Sequence, residues 1–153
     1  MTNEIGPPPP SRAPASLNPD SSLRARLEAA AEGLVYSSEG DHPFHFVELA
    51  IAADRWPPSP ASFAEMVEAR RGEQVEEVEL HEFLARHVER ADSLDSAARA
   101  LRPRYDALRQ TLRSELEDLR VFRVGQVRVR CYALGVDPAA RRVVGLATLA
   151  IET

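Results

Sequence analysis

The chain contains no lysine: all nineteen of its basic residues are arginine. It has one cysteine, Cys131, and one tryptophan, Trp56. A lone cysteine excludes an intrachain disulfide and a zinc–cysteine site, and it fits a reduced, cytoplasmic setting. Long apolar runs are missing too. The longest, Val143 to Ile151, is interrupted by Thr148 and is far shorter than the ~20 residues of a membrane helix. No basic patch followed by an apolar stretch opens the chain, so no secretory signal is expected. The Gly-rich phosphate loop and the Gly-x-Ser-x-Gly nucleophile elbow are absent as well.

What is present is one domain's worth of chain. Of 153 residues, 44% are hydrophobic and 28% charged, which allows both a core and a solvated surface. Residues 1–20 differ from the rest, with Pro7 to Pro10, Pro14 and Pro19 and little to bury. They read as a disordered proline-rich arm ahead of a domain spanning 21–153. Charge is divided along the sequence. Residues 1–98 carry 8 Arg against 18 Asp/Glu, and residues 99–153 carry 11 Arg against 6. The acidic first part argues against direct nucleic-acid binding and suits a basic protein partner.

Asp20, Ser21 and Ser22 offer N-caps for a helix through Leu23, Leu27, Ala30 and Leu34, stopped by Gly33. A polar loop, Ser37 to Pro43, follows. Phe44 to Ile51 reads as a strand, with Phe44 and Phe46 on one face and Val47, Leu49 and Ile51 on the other. Apolar groups on both faces call for cover on both sides. Phe63, Met66 and Val67 mark a helix of about ten residues, in the range of globular helices. Val75, Val78 and Leu80 suggest a short strand. Phe83, Leu84, His87 and Val88 form a helical stripe, and Leu101 to Leu119 a longer one. Pro103 either opens that last helix or kinks it. Val121 to Val124, the alternating Val127 to Leu134, and Val143 to Ile151 read as three strands. The order α-β-α-β-α-α-β-β-β predicts an α/β (α+β) chain, a three-layer α-β-α sandwich around a mixed sheet.

Chemistry-bearing residues are plentiful, but they do not form a catalytic set. Cys131 lies on the apolar side of its strand, where a small buried residue is expected. His42 and His45 straddle Pro43, and His81 and His87 are six apart, so neither pair has zinc-ligand spacing. All four read as surface or partly buried histidines. Glu76, Glu77, Glu79 and Glu82 read as a solvated acidic face. Arg123, Arg128 and Arg130 read as a solvated sheet edge or as salt-bridge partners of the acidic part. No aromatics interleave them as a nucleic-acid stacking platform requires. A non-enzymatic protein is expected.

Two segments stand out together. One is Gly33-Leu-Val-Tyr-Ser-Ser-Glu39-Gly-Asp-His-Pro43-Phe44. The other runs Val121-Phe-Arg-Val-Gly125-Gln-Val-Arg-Val-Arg-Cys-Tyr132-Ala-Leu-Gly135, on to Gly145-Leu-Ala-Thr and the final Ile151-Glu152-Thr153. With Val75-Glu-Glu-Val78-Glu-Leu and Phe83-Leu84, they resemble the nuclease A inhibitor family over about residues 21–153. The resemblance implies a fold like that of the pathogenesis-related proteins. It also implies inhibition of a sugar-nonspecific, metal-dependent DNA/RNA endonuclease inside the cell that makes it. In such inhibitors a loop glutamate mimics the scissile phosphate, and its position here is Glu39. A C-terminal threonine gives oxygen ligands to the nuclease's divalent ion, Mg or Mn, and its position here is Thr153. A third loop carries an acidic residue before an aromatic; here Asp92 is followed by Ser93. Asp41 and Glu152 join these as candidate contacts. An active-site plug is expected to act as a monomer in a 1:1 complex, and no cofactor of its own and no membrane contact are expected. A binding module of the same fold with another protein partner is the alternative.

Overall fold

The structure is a computed structural model and describes residues 19–89 and 96–153. Helix α1 spans Pro19–Ala31. Three strands follow, β1 (Val35–Ser37), β2 (Asp41–Pro43) and β3 (His45–Ala52), then a 3-10 turn at Ala53–Arg55 and helix α2 (Pro60–Met66). Strand β4 (Val75–Val78) leads to α3 (Leu80–Glu89) and α4 (Ser96–Glu115). Strands β5 (Glu117–Val124), β6 (Arg128–Asp137) and β7 (Arg142–Ile151) close the fold. Among the described residues no helix is long and apolar enough to cross a membrane.

The five-stranded sheet has the order β3-β7-β6-β5-β4, and every neighbouring pair is antiparallel. The mixed sheet expected from the sequence is therefore corrected. Apolar residues on both faces of β3 signalled cover on both sides, and that cover exists, but it carries no information about strand direction. The segment expected as a polar loop, residues 37–43, is also corrected. It contributes Ser37 and β2 to a two-stranded ribbon, in which Tyr36 faces His42 and Ser37 faces Asp41. The Thr148 hydroxyl holds this ribbon to the main sheet by donating toward the carbonyls of Pro43 (2.9 Å) and His42 (3.1 Å).

One face of the sheet packs on α1, α3 and α4. Leu23, Leu27, Phe83, Leu84, Leu108 and Leu112 bury against Val121, Val129, Cys131, Val144 and Leu146. The alternate residues of the same strands, Phe122, Val124, Leu134, Val136 and Val143, pack with Phe63, Trp56 and Ala53 on the other face. Phe46 of β3 and Phe44 just before it join the first cluster, and Val47, Leu49 and Ile51 join the second. That matches the division of faces read from the alternation.

The second face depends on α2, a helix of seven residues that would be marginal alone. Ser59 caps it by accepting from the Ser62 amide at 3.1 Å, and Pro60 stands at its first turn. Phe63, fully buried, stacks on Phe122 with centroids 4.2 Å apart. Such an aromatic pair is worth about 0.5–1.5 kcal/mol beyond its buried area, comparable to the roughly 0.5–2 kcal/mol of an N-cap. Helix α4 begins at Ser96, so Pro103 lies inside it and does not open it. Pro103 is exposed, which leaves water to satisfy the carbonyl its ring cannot pair. At the centre of the sheet Gly145 is obligatory, because a Cβ there would lie 1.9 Å from the Ala133 carbonyl oxygen.

Candidate functional site

The β1–β2 connection, Ser38-Glu39-Gly40, meets the end of β7. The Ser38 amide bonds the Gly40 carbonyl at 3.0 Å and its hydroxyl donates to the same oxygen at 3.0 Å, which closes a tight turn. That turn is sewn to β7 twice. The Glu39 amide donates to the Ile151 carbonyl at 3.1 Å, and the Ile151 amide donates to the Ser38 hydroxyl oxygen at 2.9 Å. Gly40 has no room to spare: a Cβ would sit 3.1 Å from the His42 ring.

This seam brings Glu39 and Thr153 together from 114 positions apart in the chain. The Thr153 amide donates to the Glu39 carboxylate at 2.8 Å, and the Thr153 hydroxyl donates to it at 2.7 Å. Both residues are exposed. Hydrogen bonds to the charged form favour it, so the Thr153 hydroxyl, and after it the Thr153 amide, hold the Glu39 carboxyl below its ordinary value of 4.5. The group is an exposed carboxylate whose orientation is fixed by two donors of Thr153.

The other expected contacts divide. Glu152 lies between Ile151 and Thr153, with its amide on the Val127 carbonyl at 2.9 Å and its carboxylate on the Arg123 guanidinium. Asp41 lies exposed on β2 opposite Ser37. Asp92 and Ser93 lie outside the described residues.

A supporting layer lies behind the turn, and the sequence did not assign it a role. His87 is 2% exposed and corrects the expectation of a surface or partly buried histidine. It stacks on Tyr105 at 4.4 Å, and its Nε2 accepts from the Ser37 amide at 3.3 Å. Arg86 donates to the Ser37 carbonyl at 2.6 Å and lies over the Tyr36 ring. The signal was available in the sequence, because His87 occupies the apolar stripe of α3 with Phe83 and Leu84. Burial pushes the Tyr36 hydroxyl above its ordinary value.

Other candidates fall away on geometry. Cys131 is 1% exposed, and burial pushes its thiol up to about 12, so it is inert at neutral pH. Arg123 pairs with Glu152 and lies 3.8 Å from Glu76, and Arg130 reaches Glu73 at 3.1 Å. The salt-bridge reading of these arginines thus holds for two of the three. Among the described residues no group of three or more His, Cys, Asp or Glu could hold a metal ion.

A model of the family described as nuclease A inhibitor-like protein matches residues 21–153. The chain belongs to this family. Its matched span includes the Ser38–Gly40 turn, the Arg123–Glu152 pair and Thr153, so the whole seam lies within the nuclease A inhibitor-like region. No curated protein matched the chain.

Proposed function

We propose that the protein is a non-enzymatic inhibitor of a sugar-nonspecific, metal-dependent endonuclease, and that Glu39 and Thr153 enter the nuclease active site. The carrying observation is the hydrogen-bonded Glu39–Thr153 pair at an exposed end of the sheet. A phosphodiester substrate presents anionic oxygens to a cation and to hydrogen-bond donors. A carboxylate presents the same charge and acceptors without a bond to cleave. The Thr153 hydroxyl gives its proton to Glu39 and keeps its lone pairs for a hard cation, which prefers oxygen ligands. Glu39 and Thr153 together supply too few donors to hold an ion on their own. Their oxygens suit a divalent ion, Mg or Mn, already held by the nuclease.

Affinity in this reading comes from preorganisation. The seam orders the turn before binding, which lowers the entropy lost in forming a complex. A monomer in a 1:1 complex burying roughly 1,600 Å² fits an active-site plug. The working site is the cytoplasm of the cell that makes the nuclease. The test is titration of a purified endonuclease of this class with the untagged chain and with the chain lacking Thr153. Stoichiometric loss of cleavage with the intact chain, weakened about a hundredfold or more without Thr153, is the expected result. Equal inhibition by both forms would remove Thr153 from the mechanism. No inhibition by either would assign the fold to another partner.

A further inference from the structure

We propose that Arg123 is a positioning residue that aims Thr153 through Glu152. The inference rests on the reading of Glu39 and Thr153 as the contact pair. The β6–β7 ladder ends at the pairing of Arg128 with Ile151. Glu152 and Thr153 therefore extend past the paired register of the sheet. Three attachments hold them: the Glu152 amide to Val127, the Glu152 carboxylate to Arg123, and Thr153 to Glu39.

These attachments are unequal. The Glu39–Thr153 bonds are exposed on both sides, and water competes for them. The Arg123–Glu152 pair is charge-assisted and more sheltered, with the two side chains 20% and 36% exposed. Arg123 is also the better anchor. It sits on β5, second from the sheet edge, with Glu76 and Cys131 as its partners on the two flanking strands. Its side chain reaches Glu152, just past the end of β7 and four residues beyond the Thr148 that pairs with Cys131. Glu152 is the residue next to Thr153, and it is held at two points, by its amide and by its carboxylate. Fixing Glu152 in this way limits how Thr153 can turn and keeps it within reach of Glu39. Glu152 thus acts from within the molecule, and its carboxylate is engaged rather than offered outward.

The experiment is ¹⁵N relaxation on the full chain, comparing wild type with Arg123→Leu, Arg123→Lys and Glu152→Ala. In wild type the Thr153 amide should have an order parameter near that of rigid backbone, about 0.85; in Arg123→Leu and Glu152→Ala it should fall below about 0.6. Arg123→Lys, which keeps the charge, should restore most of the order. Val129 and Val144, buried in β6 and β7, should not change in any variant. An unchanged Thr153 amide, or loosening of Val129 and Val144 in parallel with it, would overturn the inference. The same variants separate this inference from the functional reading. Lost order at Thr153 with undiminished nuclease inhibition keeps Arg123 as the aiming residue and removes Thr153 from the inhibitory contact.

Discussion

Two acidic regions of the molecule invite comparison. One is the run Glu76, Glu77, Glu79 and Glu82 around edge strand β4; the other is Glu39 beside Thr153. The first holds more charge. Its pairing is loose, with Glu77 3.4 Å from Arg120 and Glu76 3.8 Å from Arg123, and the two glutamates are 42% and 65% exposed. The groove beside it is wide and open to solvent, lined by Glu77, Glu79, Glu82, Arg113 and Arg120. Glu39 is a single carboxylate, but two donors of one residue fix its direction. The density of carboxylates in a sequence therefore says little about recognition. A carboxylate whose rotamer is already chosen loses less on binding, because each long side chain ordered in a complex costs about 0.5–1.5 kcal/mol.

The comparison predicts a graded series of effects. Glu39→Gln keeps the size and one acceptor and removes the charge; it should weaken nuclease inhibition by about thirtyfold or more, read from inhibition constants. Wild-type affinity in that variant would make Glu39 no different from the β4 glutamates. A smaller effect should appear in Thr153→Val, which keeps the amide donor and deletes the hydroxyl. Side-chain carboxyl titration by NMR should then show the Glu39 value rising toward 4.5 from its lowered position. The sign is that of a carboxyl depressed in the folded state. The Thr153 bonds to Glu39 contribute fully above 4.5, and that contribution is lost as pH falls through the lowered value. Near neutral pH they should not vary with pH, and a Glu39 that titrates at its ordinary value in wild type would contradict the bonded geometry. The smallest effect is expected at β4. Glu77→Gln with Glu79→Gln should change inhibition less than about twofold and stability by no more than about 0.5 kcal/mol, read from denaturant melts. A large loss of inhibition there would move the partner surface to the opposite edge of the sheet.

Legibility followed the physics of each region. Strands β5 to β7 could be read from their period of two, because one face buries against helices and the other against Trp56 and Phe63. The stripe of α3 was equally plain. The ribbon of β1 and β2 was not, since Ser, Gly, Asp and Pro are turn formers and its pairing needs Thr148 of a distant strand. His87 was read by its chemistry when its place in the stripe was the better guide.

The sequence by itself determined the strands of the main sheet, its two apolar faces and the resemblance to the family, since periodicity and local motif are written in neighbouring residues. It also singled out Glu39 and Thr153 through a family resemblance. Only the tertiary structure decided that every strand pair is antiparallel and that these two residues touch. It also decided that Glu152 turns inward to Arg123. Each of those facts joins residues far apart in the chain, Glu39 and Thr153 by 114 positions, so a pattern among neighbouring residues does not encode it.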